Sequence, residues 1–175
     1  IILSVSTELA NAIRACCQLR DTLYLVKQVG IMSTFDNGDV PATWQLTEVD
    51  GGHGGFQNSI ATVSASAPAL AENEMFLLCD FGGLFIFSGT VQPLPLTWKI
   101  DDLWQTINKN ALFNITIMLD PFNQIFYILV PVNGSAQANL LIVGDFTEGL
   151  SWDNIKWTTY TFPFTPSSIA MLNFV

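Results

Sequence analysis

The sequence predicts an all-β protein built from antiparallel meander sheets. Short segments rich in β-branched and aromatic residues recur along the chain, which is typical of strands. Turn-forming residues separate these segments, so each strand is expected to pair with its neighbour in sequence. A hairpin pattern also repeats along the chain, which indicates that the same β unit is used more than once.

The strand segments are short and mostly apolar, with Val, Ile, Thr and aromatic residues in most of them. They span residues 22–35, 43–49, 59–65, 75–80, 83–89, 114–120, 124–132, 139–146 and 156–162.

The N-terminal stretch allows two interpretations. Leu9, Ile13, Cys16 and Cys17 are spaced as on one face of a helix, but an extended lead-in followed by a strand fits equally well. We favour a strand for residues 11–19.

Three of the predicted turns have definite physical causes. Residues 36–39 (DNGD) tolerate positive φ, and residues 120–123 (DPFN) place Pro121 at the second position of a type I turn. Asn133 and Gly134 form a reverse-turn dipeptide. Because all three are short, the strands that they join should pair directly.

The segment "FLLCDFGGLFIFSGT", residues 76–90, differs from an ordinary half-exposed hairpin. Its two flanking runs are apolar at nearly every position, which predicts that both faces of the hairpin are buried. We therefore expect this hairpin to lie between two other sheets.

One short helix is predicted near residues 101–112. Asp101 is placed to cap its first turn and Asp102 favours the positive end of the helix. Apolar residues then recur at helical spacing, namely Leu103, Trp104, Ile107 and Ala111, and the helix is expected to end near Leu112.

Three hairpins share one pattern, an apolar strand, a short polar or glycine turn and a second apolar strand. They begin at residues 21, 74 and 113, and residues 167–175 resemble the first strand of a further copy. Spacings of roughly 40 to 50 residues with four short strands per unit are typical of β-propeller blades. Closed propellers have about four to eight blades, so we expect residues 1–175 to be a single all-β domain of three or more blades that is part of a larger propeller or completes one by association.

Composition argues against several classes of partner. The net charge is −9, and the six Lys and Arg residues are scattered singly, so no basic stripe is available to bind nucleic acid directly. No apolar run reaches the roughly 18 to 20 residues of a membrane span. Only 12% of residues are charged, which leaves a neutral surface that is easily buried against other proteins. Cys16, Cys17 and Cys79 are too few for a disulfide scaffold and are expected to be small buried residues.

The residues that might carry chemistry form no recognisable catalytic, metal or cofactor motif. His53 is the only histidine and lies in a glycine-rich loop, where it is most simply a polar loop residue. Residues 36–39 could offer oxygens to calcium, but a plain turn explains them better because the calcium-loop pattern is absent. The carboxylate pairs Asp101–Asp102 and Glu72–Glu74 cannot be placed across a cleft. We therefore expect no enzyme activity.

The five tryptophans divide by context. Trp98, Trp104 and Trp157 lie in apolar surroundings and are expected to be structural. Trp44 and Trp152 are candidates for exposed contacts, and together with His53 they are the candidate ligand or partner contacts.

The sequence also resembles β-propeller virion proteins of tailed bacteriophages, including neck, tail and packaged-DNA stabilisation proteins. The similar elements are "DFGGLFIFSGT", "PLPLTWKIDDLWQTIN", "MLDPFNQIFYILVP" and "NLLIVGDFTEGL" followed by "IKWTTY", within residues 79–160. The upstream "RDTLYLVKQVGIMSTFDNG" resembles the preceding blade of the same pattern.

This resemblance implies a structural virion component that acts through contacts with other virion proteins, with no catalytic residues. An oligomer located in the virion is then expected. The alternatives are an extracellular sugar-binding propeller, in which Trp44, Trp152 and the His53 loop line a shallow site, and a hydrolase, for which two carboxylates would have to face one cleft.

Overall fold

The computed structural model describes residues 12–39, 44–55, 60–63, 75–80, 82–120 and 122–169. Its regular structure is mostly β, in three antiparallel sheets, so the predicted all-β class is confirmed. The predicted Glu72–Glu74 pair, and the end of the strand expected at 167–175, lie outside the described residues.

The first sheet is a four-stranded meander in which every strand pairs with its neighbour in sequence. A strand covers most of residues 11–19, as favoured above, and residues 22–35 form a hairpin that turns at Gly30, whose φ of 105° is accessible mainly to glycine. Its strands are β1 (Ile13–Leu19), β2 (Thr22–Lys27), β3 (Ile31–Phe35) and β4 (Thr47–Asp50).

The remaining strands form a middle sheet of three strands and a third sheet of four, again in sequence order. The middle sheet comprises β5 (Ile60–Val63), β6 (Met75–Cys79) and β7 (Leu84–Phe87). The third sheet comprises β8 (Thr116–Asp120), β9 (Ile125–Val130), β10 (Leu140–Asp145) and β11 (Lys156–Thr161).

Strand β7 of the middle sheet is covered on both faces. Leu84 and Ile86 of β7 belong to the large core cluster that includes the inner residues of the third sheet. Phe85 and Phe87, which point the opposite way because side chains alternate along a strand, pack in a separate cluster with residues of the first sheet. All four residues of β7 are buried, so the predicted burial of both faces is confirmed for this strand of the hairpin.

The three described sheets do not close into a ring. The first and third sheets lie on opposite faces of the middle sheet. An arrangement as propeller blades remains a prediction.

The predicted helix over 101–112 is wrong in extent. The α-helix α1 covers only Asp101–Trp104, and Ile100 occupies the capping position that was expected of Asp101. Two 3-10 helices flank it, at Leu96–Ile100 and Lys109–Asn114.

A contact with a distant segment ends this helix early. Ile107 forms an isolated β-bridge with Val132, and the extended Asn108 accepts a hydrogen bond from the N–H of Asn110 at 3.1 Å. The amide of Asn108 also donates to the carbonyl of Ser135 at 2.8 Å. Asn108 therefore begins a second helical turn instead of continuing the first.

The predicted turns lie where expected, although Pro121 itself is outside the described residues. Asn133 and Gly134 have φ of 54° and 77°, and the N–H of Ser135 donates to the carbonyl of Val132 across them. In the 36–39 turn the Asp36 carboxylate accepts from the N–H of Gly38 at 2.8 Å.

The cysteines differ in environment. Cys17 and Cys79 are buried, as expected, and burial raises the pKa of the Cys79 thiol. Cys16 is exposed, which corrects the expectation of burial, because it points to the opposite face of the edge strand β1 from Cys17. Within the described residues no helix has the length and apolar character needed to cross a membrane.

Candidate functional site

The glycine-rich loop after β4 is held between the first and middle sheets. The N–H of Gly30 donates to the carbonyl of His53 at 2.7 Å, and the N–H of Gly55 donates to the carbonyl of Lys27 at 2.9 Å. A Cβ atom on Gly54 would lie 2.3 Å from the carbonyl oxygen of Gln28. The loop is therefore tightly folded against the β2–β3 turn, and glycine at position 54 allows the close approach of the two backbones.

His53 has fixed partners within this loop. The Asp50 carboxylate accepts from the N–H groups of Gly52 at 2.8 Å and His53 at 2.6 Å, and His53 Nδ1 lies 3.2 Å from each carboxylate oxygen. Partial burial disfavours ionisation of Asp50, but these hydrogen bonds and the His53 ring outweigh it and lower the pKa of Asp50. His53 is thus a partly buried partner of Asp50, with 32% of its side chain exposed.

A second carboxylate, that of Asp80, faces the same loop from the middle sheet. Asp80 Oδ1 accepts from the N–H groups of Gly82 at 2.7 Å and Gly83 at 3.2 Å. Asp80 is only 6% exposed, and this burial raises its pKa despite the hydrogen bonds and the nearby His53.

These groups surround a cavity of about 180 Å³ between the first and middle sheets. Its polar side chains are Gln28, His53 and Asp80, and the Phe85 ring forms an apolar wall. His53 packs edge-on against Phe85, with ring centroids 4.7 Å apart. The rest of the lining is glycine, so backbone N–H groups and one carboxylate dominate the chemistry available to a guest.

The predicted contact residues do not meet in this cavity. His53 lines it, but Trp44 and Trp152 do not. Trp44 is partly buried, with an indole Nε1 that is buried and has no hydrogen-bond partner, whereas Trp152 is 39% exposed. Trp152 is therefore an exposed residue, as predicted, at a separate place on the molecule.

Trp98 corrects the prediction of a structural role, because its side chain is 55% exposed. Its neighbour Lys99 donates a hydrogen bond to the carbonyl of Asp153, which brings the chain around Trp98 next to the chain around Trp152. We call the region of Trp98, Lys99, Trp152 and Asp153 the tryptophan surface.

The other two tryptophans are structural, as predicted. Trp104 is 3% exposed within the large core cluster. Trp157 is partly buried against that cluster, and its ring lies edge-on to Phe126 with centroids 5.3 Å apart.

The other candidate acidic groups show no site geometry. Asp101 and Asp102 are exposed at the start of α1, where Asp101 accepts from the Gln105 amide at 3.1 Å. In the part of the chain that the structure describes, no three His, Cys, Asp or Glu side chains are grouped to hold a metal ion.

Sequence reasoning missed Asp80, Phe85 and Gln28, the side chains that line the cavity together with His53. The available signal was the pattern Asp-x-Gly-Gly directly after a buried strand, in which an aspartate accepts from N–H groups two and three residues later. The opposing loop pattern, Asp50 followed by Gly51 and Gly52, has the same form.

No protein-family model matches this sequence, and no curated protein shows significant similarity to it. The function is therefore argued from the cavity and from the exposed aromatic residues.

Proposed function

We propose that the protein is a non-enzymatic structural component of a multi-protein assembly, such as a phage virion, and acts through protein–protein contacts. The observation that carries this proposal is the exposure of large aromatic side chains on a chain with few charges. Their exposed fractions range from 39% to 74%. They are Phe35, Trp98, Phe113, Phe122, Trp152, Tyr160 and Phe164.

The tryptophan surface is the most specific part of this evidence. Trp and Tyr are enriched among the residues that dominate binding energy at protein interfaces. Single exposed apolar residues are ordinary, but two tryptophans on segments joined by the Lys99–Asp153 hydrogen bond form a local feature. A neighbouring chain that covered Trp98 and Trp152 would bury apolar area now in water.

The arrangement of the sheets supports the proposal that the chain contributes blades to a β-propeller in this assembly. A strand such as β7, packed on both faces between two meander sheets, is what consecutive blades would produce. The outer strand β11 has an unpaired edge among the described residues and exposes five of its six residues, so other strands or chains would have to cover it. The virion location rests on the sequence resemblance alone.

The test is the solution mass of the purified chain by light scattering. A defined oligomer is expected, with a mass that is a multiple of the 19.2 kDa of the monomer. The double variant Trp98→Ser, Trp152→Ser should shift the protein towards monomer. Phe35→Ser is the control, because it alters an exposed aromatic residue of the first sheet, 60% exposed, that lies outside the tryptophan surface.

A wild-type chain that is a cooperatively folding monomer over the whole concentration range would contradict self-association. If the double tryptophan variant and Phe35→Ser weaken the oligomer equally, the tryptophan surface is not the specific interface.

An extracellular sugar-binding role is the second candidate, and the exposed Trp98 and Trp152 favour it because sugars stack on tryptophan. Saturable quenching of tryptophan fluorescence by an oligosaccharide, lost in the same double variant with the oligomeric state unchanged, would support this role over assembly.

A further inference from the structure

We propose that the cavity between His53 and Asp80 binds a primary ammonium group, supplied in the assembly by a lysine side chain of a partner protein. The source of the lysine rests on the proposed function, but the preference for an ammonium group does not.

The first argument is the charge balance of the cavity. Asp80 lines the cavity and is only 6% exposed. It forms no ion pair with any lysine or arginine of the described residues. Buried carboxylates are normally paired with a cation or hold a proton. The His53 ring acts electrostatically on Asp80, but His53 Nδ1 is already engaged by Asp50.

Two basic residues lie close to this loop, and neither forms an ion pair with Asp80. Lys27 is buried in β2, and its carbonyl accepts from the N–H of Gly55. The Arg14 guanidinium donates at 3.2 Å to Oε1 of Gln28, which lines the cavity. Asp50 adds a second negative charge beside His53. The cavity therefore presents one carboxylate, that of Asp80, beside an aromatic wall, on a chain whose net charge is −9.

The second argument is shape. A volume of about 180 Å³ has room for several water molecules, and therefore for the end of a lysine side chain, but it is smaller than the sites of most drug-sized ligands. The Phe85 ring offers an apolar surface to the methylene groups, and its face attracts a cation.

The third argument separates ammonium from guanidinium. Arginine recognises a carboxylate best when both oxygens are free for two parallel hydrogen bonds. Asp80 Oδ1 already accepts from Gly82 and Gly83, so that fork geometry is blocked. A single ammonium donor needs only one open acceptor direction.

The test uses n-butylammonium as the probe, followed in the wild-type chain by the amide chemical shifts of Gly52, Gly54 and Gly82. We expect saturable shifts at these amides with a Kd on the order of 1–10 mM. Neutral n-butanol, and tetramethylammonium, which has no N–H donor, should bind at least about tenfold more weakly. Shifts at other residues only, or none, would overturn the proposal.

Asp80→Asn should weaken n-butylammonium binding by at least about tenfold, because it removes the charge and leaves the shape. Asp145→Asn is the matched control, since Asp145 accepts from a backbone N–H two residues later in the same way but lies outside the cavity. Equal loss in both variants would contradict the assignment. If Asp80→Asn does not fold, the localisation of the wild-type shifts and the two control probes decide the question.

Potassium chloride that displaces n-butylammonium at similar concentration would identify an inorganic cation site and overturn the ammonium assignment. n-Propylguanidinium that binds more tightly would overturn the preference for lysine. The light-scattering mass is read separately: an oligomer without ammonium binding removes only this inference, and ammonium binding by a strict monomer removes only the assembly role.

Discussion

His53 and Phe85 lie edge-on with ring centroids 4.7 Å apart, and this contact joins the loop that follows the first sheet to the middle sheet. The same loop is fixed on its other side by the hydrogen bond from Gly30 to the carbonyl of His53. The glycine-rich segment is thus a connection between two sheets, and its conformation controls the shape of the cavity.

Gly54→Ala should destabilise the protein by roughly 3 kcal/mol, because the new Cβ would lie 2.3 Å from the carbonyl oxygen of Gln28 and 2.5 Å from that of Lys27. Both neighbours are backbone atoms that cannot turn aside. Chemical denaturation measures the free energy of unfolding.

Gly52→Ala is the control in the same loop, since its Cβ would meet nothing closer than an Asp50 oxygen at 3.8 Å. Its free energy of unfolding should stay within about 0.5 kcal/mol of wild type. Equal effects at the two positions would mean that the close approach of Gly54 does not matter for stability.

The sequence predicted the strands, and the double-sided burial found in β7, because these depend on local composition. A strand with no polar position, such as β7, can be stable only where both faces are covered. Short turns then join neighbouring strands, and this fixed the meander order.

Features that depend on distant contacts were not predictable in this way. The helix ends at Trp104 because Ile107 pairs with Val132, a residue far along the chain. Trp98 is exposed because the 3-10 helix buries its neighbours Leu96 and Thr97 instead. The cavity likewise depends on how two sheets pack, which spacing in sequence does not reveal.

Gly144→Ala should destabilise the third sheet by about 1–3 kcal/mol, the usual cost of overpacking a core. The new Cβ would lie 2.2 Å from the ring of Phe126, which is fully buried and has no space to move into. Thermal and denaturant unfolding measure the loss.

A double-mutant cycle with Phe126→Leu provides the check. The smaller side chain should relieve the clash, so the two substitutions together should cost less than the sum of the single ones. Strict additivity would show that Phe126 is not the group that excludes a side chain at position 144.

Asp120→Asn should lower the free energy of unfolding at neutral pH by about 1 kcal/mol, the usual worth of one hydrogen bond. The Asp120 carboxylate accepts from the Asn123 amide at 2.7 Å and from the N–H groups of Phe122 and Asn123 at 3.1 Å each. The pKa of Asp120 is lowered, mainly by the hydrogen bond from the Asn123 side chain. The two backbone hydrogen bonds also lower this pKa, whereas burial raises it.

A lowered pKa in the folded state stabilises the protein above the ordinary Asp value of 3.8, and this contribution is lost as the pH falls through the folded pKa. The difference between wild type and Asp120→Asn should therefore shrink on acidification. A difference that is constant from neutral to acidic pH would contradict the role of the ionised form.

Asp80→Asn should show the opposite pH dependence. Burial raises the pKa of Asp80, so its contribution to stability is fully present below 3.8 and is lost as the pH rises through the folded pKa. Asn keeps an oxygen for the N–H groups of Gly82 and Gly83 but never acquires a buried charge. Relative to wild type, the free energy of unfolding of Asp80→Asn should therefore rise as the pH goes from acidic to neutral. The free energy of unfolding of Asp120→Asn, relative to wild type, should fall over the same range. His53 acts electrostatically on the same carboxylate and is itself paired with Asp50, so the titration is repeated in a His53→Gln background. Parallel pH profiles for Asp80→Asn and wild type in both backgrounds would show that no buried charge forms at Asp80.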